Sequence, residues 1–227
     1  MHSGQGRRMD DKKQLIEVDH VYKSFKKKEV LKDVSMTCES GRIYGIVGHN
    51  GSGKTVLFKC ICGFYHCTGG EIRVNKKVMG KDLDILNNSG IIIEDPGFLR
   101  RWSGYHNLEF LYTIRNKRDK EYLYYVLEKV GLDPGSNMPA GKYSLGMRQR
   151  LAIAQAIMEE PDILILDEPM NGLDKAGVAE MRELFRGMKE EGKLIILASH
   201  NREDIEILCD EVYEMENGVL TRIPQLS

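Results

Sequence analysis

The sequence has 227 residues, 41% hydrophobic and 30% charged, with 33 Lys and Arg against 34 Asp and Glu and a formal net charge of −1. A chain of this length buries roughly 70% of its unfolded surface without needing disulfides, and its balanced charge argues against a dedicated nucleic-acid binder, leaving room only for a local basic patch. A bilayer span needs about 20 consecutive apolar residues, and the best runs, Ile163 to Leu166 and Leu194 to Ala198, are far shorter.

From Met1 to Lys13 only the two methionines are apolar, amid Arg7, Arg8, Lys12 and Lys13, so there is no secretory core. Residues 1–13 are expected to form a disordered tail, with Met9 as an alternative initiator, and 14–227 a single domain. The cysteines Cys38, Cys60, Cys62, Cys67 and Cys209 are odd in number and form no paired C-x-x-C set, which fits reduced thiols in the cytosol. Cys60, Cys62, His66 and Cys67 also admit a metal-cluster reading. A helix over this stretch instead buries Cys60 as a small core residue, and that reading is preferred.

The elements alternate along the chain. Leu15 to Val21 and Ile43 to Val47 are short apolar runs of strand type, and a glycine-rich turn after the second leads into a predicted helix at Thr55 to Cys62. Lys26, Lys27 and Lys28 read as a solvated turn. Strand patterns follow at Glu71 to Asn75 and Ile91 to Ile93. From Ser103 to about Leu132 the text is helical, with Tyr122, Leu123, Val126, Leu127 and Val130 at three- and four-residue spacing, Asp119 as N-cap and Gly131 as terminator. Ser144 can cap a further helix to about Met158, and Pro161 precedes a buried strand at Ile163 to Leu166. Val178, Met181, Leu184, Phe185 and Met188 mark an amphipathic helix ended by Gly192, before the second buried strand at Leu194 to Ala198. Uniformly apolar strands alternating with helices predict a parallel sheet covered on both faces.

Gly48-His49-Asn50-Gly51-Ser52-Gly53-Lys54-Thr55 fits G-x-x-x-x-G-K-[ST] at every fixed position, between a strand and a helix. In such a loop backbone N–H groups turn onto phosphate oxygens, the helix N-terminus adds its positive dipole end, Lys54 reaches the β- and γ-phosphates and Thr55 can ligate Mg²⁺. Asp167, at the C-terminal end of a buried strand, would hold Mg²⁺ directly or through water. Glu168 is placed to polarise an attacking water. A phosphate loop alone covers kinases, GTPases, helicases and transport ATPases.

Tyr143-Ser144-Leu145-Gly146-Met147-Arg148-Gln149-Arg150 separates these classes. It stands about twenty residues before the Asp167-Glu168 strand and resembles the L-S-G-G-Q signature of ATP-binding cassette (ABC) proteins. The resemblance extends over about Leu15 to Val219. It implies an α/β P-loop NTPase fold with a mostly parallel core sheet, an antiparallel β subdomain and a helical insertion subdomain at about 97–158. It also implies that Ser144 and Gly146 meet the γ-phosphate held by an opposite subunit, making each site composite. Phe25 resembles the aromatic that stacks on adenine, with Tyr22 as the alternative. Asn171-Gly172-Leu173-Asp174 resembles the D-loop that communicates between sites, and His200 the switch histidine that contacts the γ-phosphate.

Where most members of the family carry Gln after a core strand, this chain has Ile93-Glu94-Asp95-Pro96-Gly97-Phe98. Glu94 still offers an oxygen to Mg²⁺ or to the lytic water, but adds negative charge beside Asp167 and Glu168. Together with the Tyr143 to Arg150 signature, this loop is similar to the bacitracin-resistance and lantibiotic-immunity branch of bacterial exporters. The resemblance implies an ATPase with ATP and Mg²⁺, pairing with a second nucleotide-binding subunit, without nucleic acid, and held on the inner face of the membrane by separate transmembrane permease subunits. The loop from Glu94 to Trp102, with Phe98 and Leu99, and the helical insertion would form the docking surface. A soluble ABC ATPase of translation or DNA repair, or the ATPase of a small importer, are the alternatives.

Overall fold

The computed structural model describes residues 15–94 and 96–224; the tail expected at 1–13 lies outside them. The chain opens with β1 (Leu15–Phe25), β2 (Lys28–Glu39) and β3 (Arg42–Val47), followed by α1 (Lys54–Ile61), β4 (Gly69–Val74), β5 (Lys77–Val78) and β6 (Ser89–Ile92). A helical stretch contains α2 (Gly104–Tyr112), α3 (Lys120–Lys129) and α4 (Leu145–Ile157). Then come β7 (Ile163–Asp167), α5 (Lys175–Glu190), β8 (Leu194–Ser199), α6 (Arg202–Leu208), β9 (Glu211–Glu216) and β10 (Val219–Ile223).

The strands form two sheets. One is antiparallel in the order β2-β1-β4-β5, and the other runs β10-β9-β3-β8-β7-β6, parallel from β9 to β6 and closed by antiparallel β10. The apolar text of β7 follows from its place at the middle of the second sheet. Successive side chains point to opposite faces, so Leu164 and Leu166 join the core with the helical stretch and α5, while Ile163 and Ile165 join the one shared with α1 and the antiparallel sheet. With both faces covered, no position in β7 short of its end favours a polar residue.

The predicted helices appear within a residue or two of their expected ends. Ser144 caps α4 by accepting from Met147 N–H at 3.2 Å, Asp119 caps α3 by accepting from Tyr122 N–H at 3.0 Å, and Gly131 leaves α3 in the left-handed region at φ 72°. The period-two pattern does not reveal β2. Its buried residues Leu31, Val34, Met36 and Cys38 are interrupted by Asp33, which sits at φ 54° in a stretch of shifted pairing against β1 and shifts the alternation by one. Nor does local patterning reveal the short α6, β9 and β10. The Lys26-Lys27 pair lies in the β1–β2 turn, as the solvated reading of that run expects.

Cys60 is fully buried on α1 beside Leu57, Phe58 and Ile61, and its thiol meets that of half-buried Cys67. Among the described residues no group of three or more His, Cys, Asp or Glu side chains is gathered as for a metal. No helix among them is long and apolar enough to cross a membrane.

Candidate functional site

The parallel register brings the sequence-predicted site residues to one edge. Val47 pairs with Ser199, Ala198 with Asp167, and Ile92 with Leu166. The phosphate loop after β3, His200 after β8, Asp167 and Glu168 at the end of β7, and Glu94 after β6 therefore emerge along the carboxyl ends of neighbouring strands. In open α/β sheets this edge is where ligands bind.

Gly53 occupies φ 122°, a backbone conformation that L side chains rarely adopt, and this lets the loop turn directly into α1. Lys54 is 5% exposed; its ammonium donates to the carbonyls of Gly48 at 2.6 Å and His49 at 3.3 Å and lies 3.9 Å from Glu168 Oε1. The Ser52 hydroxyl is buried with no hydrogen-bond partner among the described residues. Gly218 N–H, in the β9–β10 turn, donates to Ser52 O at 3.0 Å and braces the loop from outside. A buried cation and an orphaned hydroxyl in a loop opening on a helix N-terminus fit a phosphate group.

Thr55 Oγ1 donates to Asp167 Oδ2 at 2.5 Å. Burial pushes the Asp167 carboxyl above its ordinary value, the Thr55 bond and Lys54 pull it down, and the charges of Glu168 and Glu94 add to the rise. A hydroxyl and a carboxylate oxygen held this close are a hard donor pair suited to Mg²⁺. That ion is commonly held by one or two protein oxygens, with water and phosphate completing the shell.

Glu168 sits in the left-handed region at φ 51°, with its N–H donating to Ala198 O at 2.8 Å. Its Oε2 is 2.9 Å from His200 Nδ1, whereas Oε1 is buried without a hydrogen bond. A cleft of about 530 Å³ opens beside this pair, lined among others by Asn171, Leu173 and Ser199.

The other predicted residues divide. Asp174 caps α5, accepting from Gly177 N–H at 2.8 Å. Gly146 lies against the carbonyl of Gly172 and Leu145 against Gly172 itself, so the signature segment abuts the D-loop-like turn of its own chain. No hydrogen bond joins Ser144 or Gly146 to the phosphate loop among the described residues. Phe25 is 39% exposed, stands edge-on to Tyr65 at 5.2 Å and has Lys23 Nζ 4.8 Å from its ring; Tyr22 is similarly exposed. His49 is exposed and bonds the Asn50 carbonyl at 2.9 Å, and Gly51 turns the loop at φ 81°. Glu94 reaches the expected strand end but turns its carboxylate to Lys59 on α1, at 2.5 Å.

Two of the expected docking residues, Leu99 and Trp102, are exposed. Phe98 is not: it packs on the core of the helical stretch, because that core leaves an apolar seat beneath the loop. Sequence reasoning also missed Lys59, which belongs to no motif, and Gln149, whose amide donates to Glu168 O at 3.4 Å. For Gln149 the signal was its place one turn inside the α4 N-terminus.

Comparison with known proteins agrees with this geometry. The family described as ABC transporter matches residues 31–171. The chain is 41% identical over 206 residues to the uncharacterised ABC transporter ATP-binding protein YybJ of Bacillus subtilis, covering 91% of this chain and 94% of that protein. It is 36% identical over 215 residues to the bacitracin transport ATP-binding protein BcrA of Enterococcus faecalis, covering 94% of this chain and 70% of that protein. Among solved structures, cbiO1 from Clostridium perfringens, described as part of the ABC transporter complex cbiONQ, superposes with a TM-score of 0.76 at 28% identity, over 91% of this chain and 86% of that one. The chain belongs to the ABC transporter family, as an ATP-hydrolysing subunit.

Proposed function

We propose that this chain powers export of a peptide antibiotic or similar small molecule, acting as the ATPase of separate transmembrane permease subunits. The observation that carries the catalytic part is Glu168, whose buried Oε1 has no hydrogen bond and whose other oxygen is steered by His200. A carboxylate with one oxygen oriented by His200 and the other accepting no hydrogen bond, with only the Lys54 ammonium 3.9 Å away, suits an attacking water.

In this reading the backbone of Gly48 to Thr55 receives the β- and γ-phosphates of ATP, and Lys54 exchanges its carbonyl partners for phosphate oxygens. Phe25, or Tyr22, stacks on adenine. Thr55 and Asp167 would hold Mg²⁺, which when bound neutralises phosphate charge. Glu168 takes the proton of the attacking water and His200 keeps that carboxylate aimed. Ser144 and Gly146 stand at the N-terminus of α4 with no phosphate loop of their own chain in reach of a hydrogen bond, which supports their serving the site of a second subunit across a dimer, with Asp174 at the junction.

Support for the permease partners comes from the helical stretch. Trp102 and Phe110, 42% and 51% exposed, stand edge to face at 5.6 Å on a groove of about 690 Å³. An exposed aromatic pair beside a groove suits a protein contact. Docking there would hold the chain on the inner face of the membrane. The likeness to BcrA over nearly the whole chain, together with the Glu94 loop, supports the antibiotic branch.

Cells whose only copy carries Glu168→Gln are expected to become more sensitive to bacitracin or to a lanthionine peptide in growth-inhibition assays. Unchanged sensitivity across a panel of such peptides would overturn the choice of branch.

A further inference from the structure

The nucleotide chemistry uses none of the five cysteines, yet two of them meet. Cys60 lies in the last turn of α1, fully buried beside Leu57 and Ile61. Cys67, in the turn that leads to β4, is half-buried against the same core and touches the Cys60 thiol. The turn between them is fixed by its backbone. The carbonyl of Lys59 accepts from the N–H groups of Phe64 and Tyr65 at 2.8 and 3.1 Å, and that of Cys60 from Gly63 N–H at 3.1 Å. At the other end Thr68 N–H donates to Tyr22 O at 2.8 Å, so the Cys67 side of the contact is anchored to β1.

The surroundings give the two thiols different roles. The hydrogen bond to Cys67, with burial, pushes the Cys60 thiol far up, so Cys60 keeps its proton and donates it. The same bond, helped by the Lys23 ammonium, holds the Cys67 thiol below its ordinary value against the opposing effect of burial. Lys23 is itself held in place: its Nζ donates to His66 O at 2.6 Å and lies 4.8 and 5.5 Å from the rings of Phe25 and Tyr65. Cys38, Cys62 and Cys209 are buried and shifted the other way, Cys62 to about 12. A thiolate beside a cation and partly open to solvent is the reactive kind of cysteine, whereas buried thiols in apolar surroundings are inert.

We propose that Cys67 and Cys60 form a modification site for hydroperoxides, in which Cys67 is the attacking thiol and Cys60 resolves it as an intramolecular disulfide. With hydrogen peroxide, the Cys67 sulfur attacks one oxygen; an S–O bond forms, the O–O bond breaks, and hydroxide leaves to take up the proton that Cys67 has shed. Cys67 is then a sulfenic acid. The Cys60 sulfur attacks the Cys67 sulfur, the S–O bond breaks, and the Cys60 proton departs with the hydroxyl as water. Two electrons pass from the thiol pair to the peroxide, which ends as two waters. The new bond ties the last turn of α1 to the segment entering β4 and removes the negative charge that faces Lys23 beside the Phe25 ring.

Reduced full-length protein is exposed to hydrogen peroxide without denaturant, its remaining thiols are alkylated, and the chain is mapped by mass spectrometry. The parent is expected to pass from five alkylated cysteines to three, with fragment ions placing one disulfide between Cys60 and Cys67 and dithiothreitol restoring both thiols. Cys67 should react at least about tenfold faster than any other cysteine. In Cys60→Ala, oxidation should stop at a Cys67 sulfenic acid that dimedone traps, and in Cys67→Ser the other four cysteines should all remain open to alkylation.

A parent whose five thiols survive the peroxide overturns the proposal, as does a disulfide made through Cys62 in place of Cys67 or Cys60. Dimedone on Cys60 in the Cys67→Ser protein overturns the division of roles.

Discussion

Glu168→Gln is expected to lower ATP turnover by about 10²–10⁴-fold, the range for removal of a general base, while ATP binding is retained. The amide matches the carboxylate in size and keeps an oxygen toward His200, which now lies 2.9 Å from Glu168 Oε2, so the left-handed turn after β7 has no steric reason to change. It no longer accepts the proton of an attacking water. It also removes one of the negative charges that raise the Asp167 carboxyl, which favours binding of an anionic nucleotide. Phosphate release should therefore nearly stop while the ATP-bound form accumulates as a dimer, measured by calorimetry and size-exclusion chromatography. Undiminished hydrolysis would refute the role given to Glu168.

The second large effect concerns the division of the site between two copies. Ser144→Arg and Lys54→Ala should each be nearly inactive alone: the first puts a bulky cation at the α4 N-terminus, and the second removes the buried ammonium of the phosphate loop. Mixed in equal amounts, the two proteins should recover at most roughly a quarter of parental activity, because half of randomly paired dimers are hybrids and each has one intact site. Ser144 also caps α4, so the Arg variant should lose about 1 kcal/mol of stability. Unfolding curves separate that loss from the catalytic one. A Ser144→Arg protein that hydrolyses ATP normally as a monomer would contradict the composite site.

The phosphate loop, β7 and β8 were legible in the sequence because each follows from local chemistry. Lys54 and its glycines have a single fixed spacing, and a buried parallel strand such as Ile163–Asp167 reads as an apolar run ending in acid. Tertiary pairing hid the rest. The Asp33 irregularity shifted the alternation of β2 against β1, and β9 and β10 acquire meaning only through neighbours distant in sequence. In the site, the residue types at 94 and 168 were readable, but their partners were not. Nothing in the text around Lys59 tells that α1 would offer it to Glu94, and the separation of Phe98 from Leu99 and Trp102 depends on which side of one loop meets the core.

That this chain works for a membrane partner is tested most directly by affinity purification from gently solubilised native membranes. The tagged chain is expected to bring down a polytopic membrane protein, and to lose it when Trp102 and Phe110 are both replaced by Asp. Recovery of a ribosome or a DNA-repair complex in place of any membrane protein would contradict it.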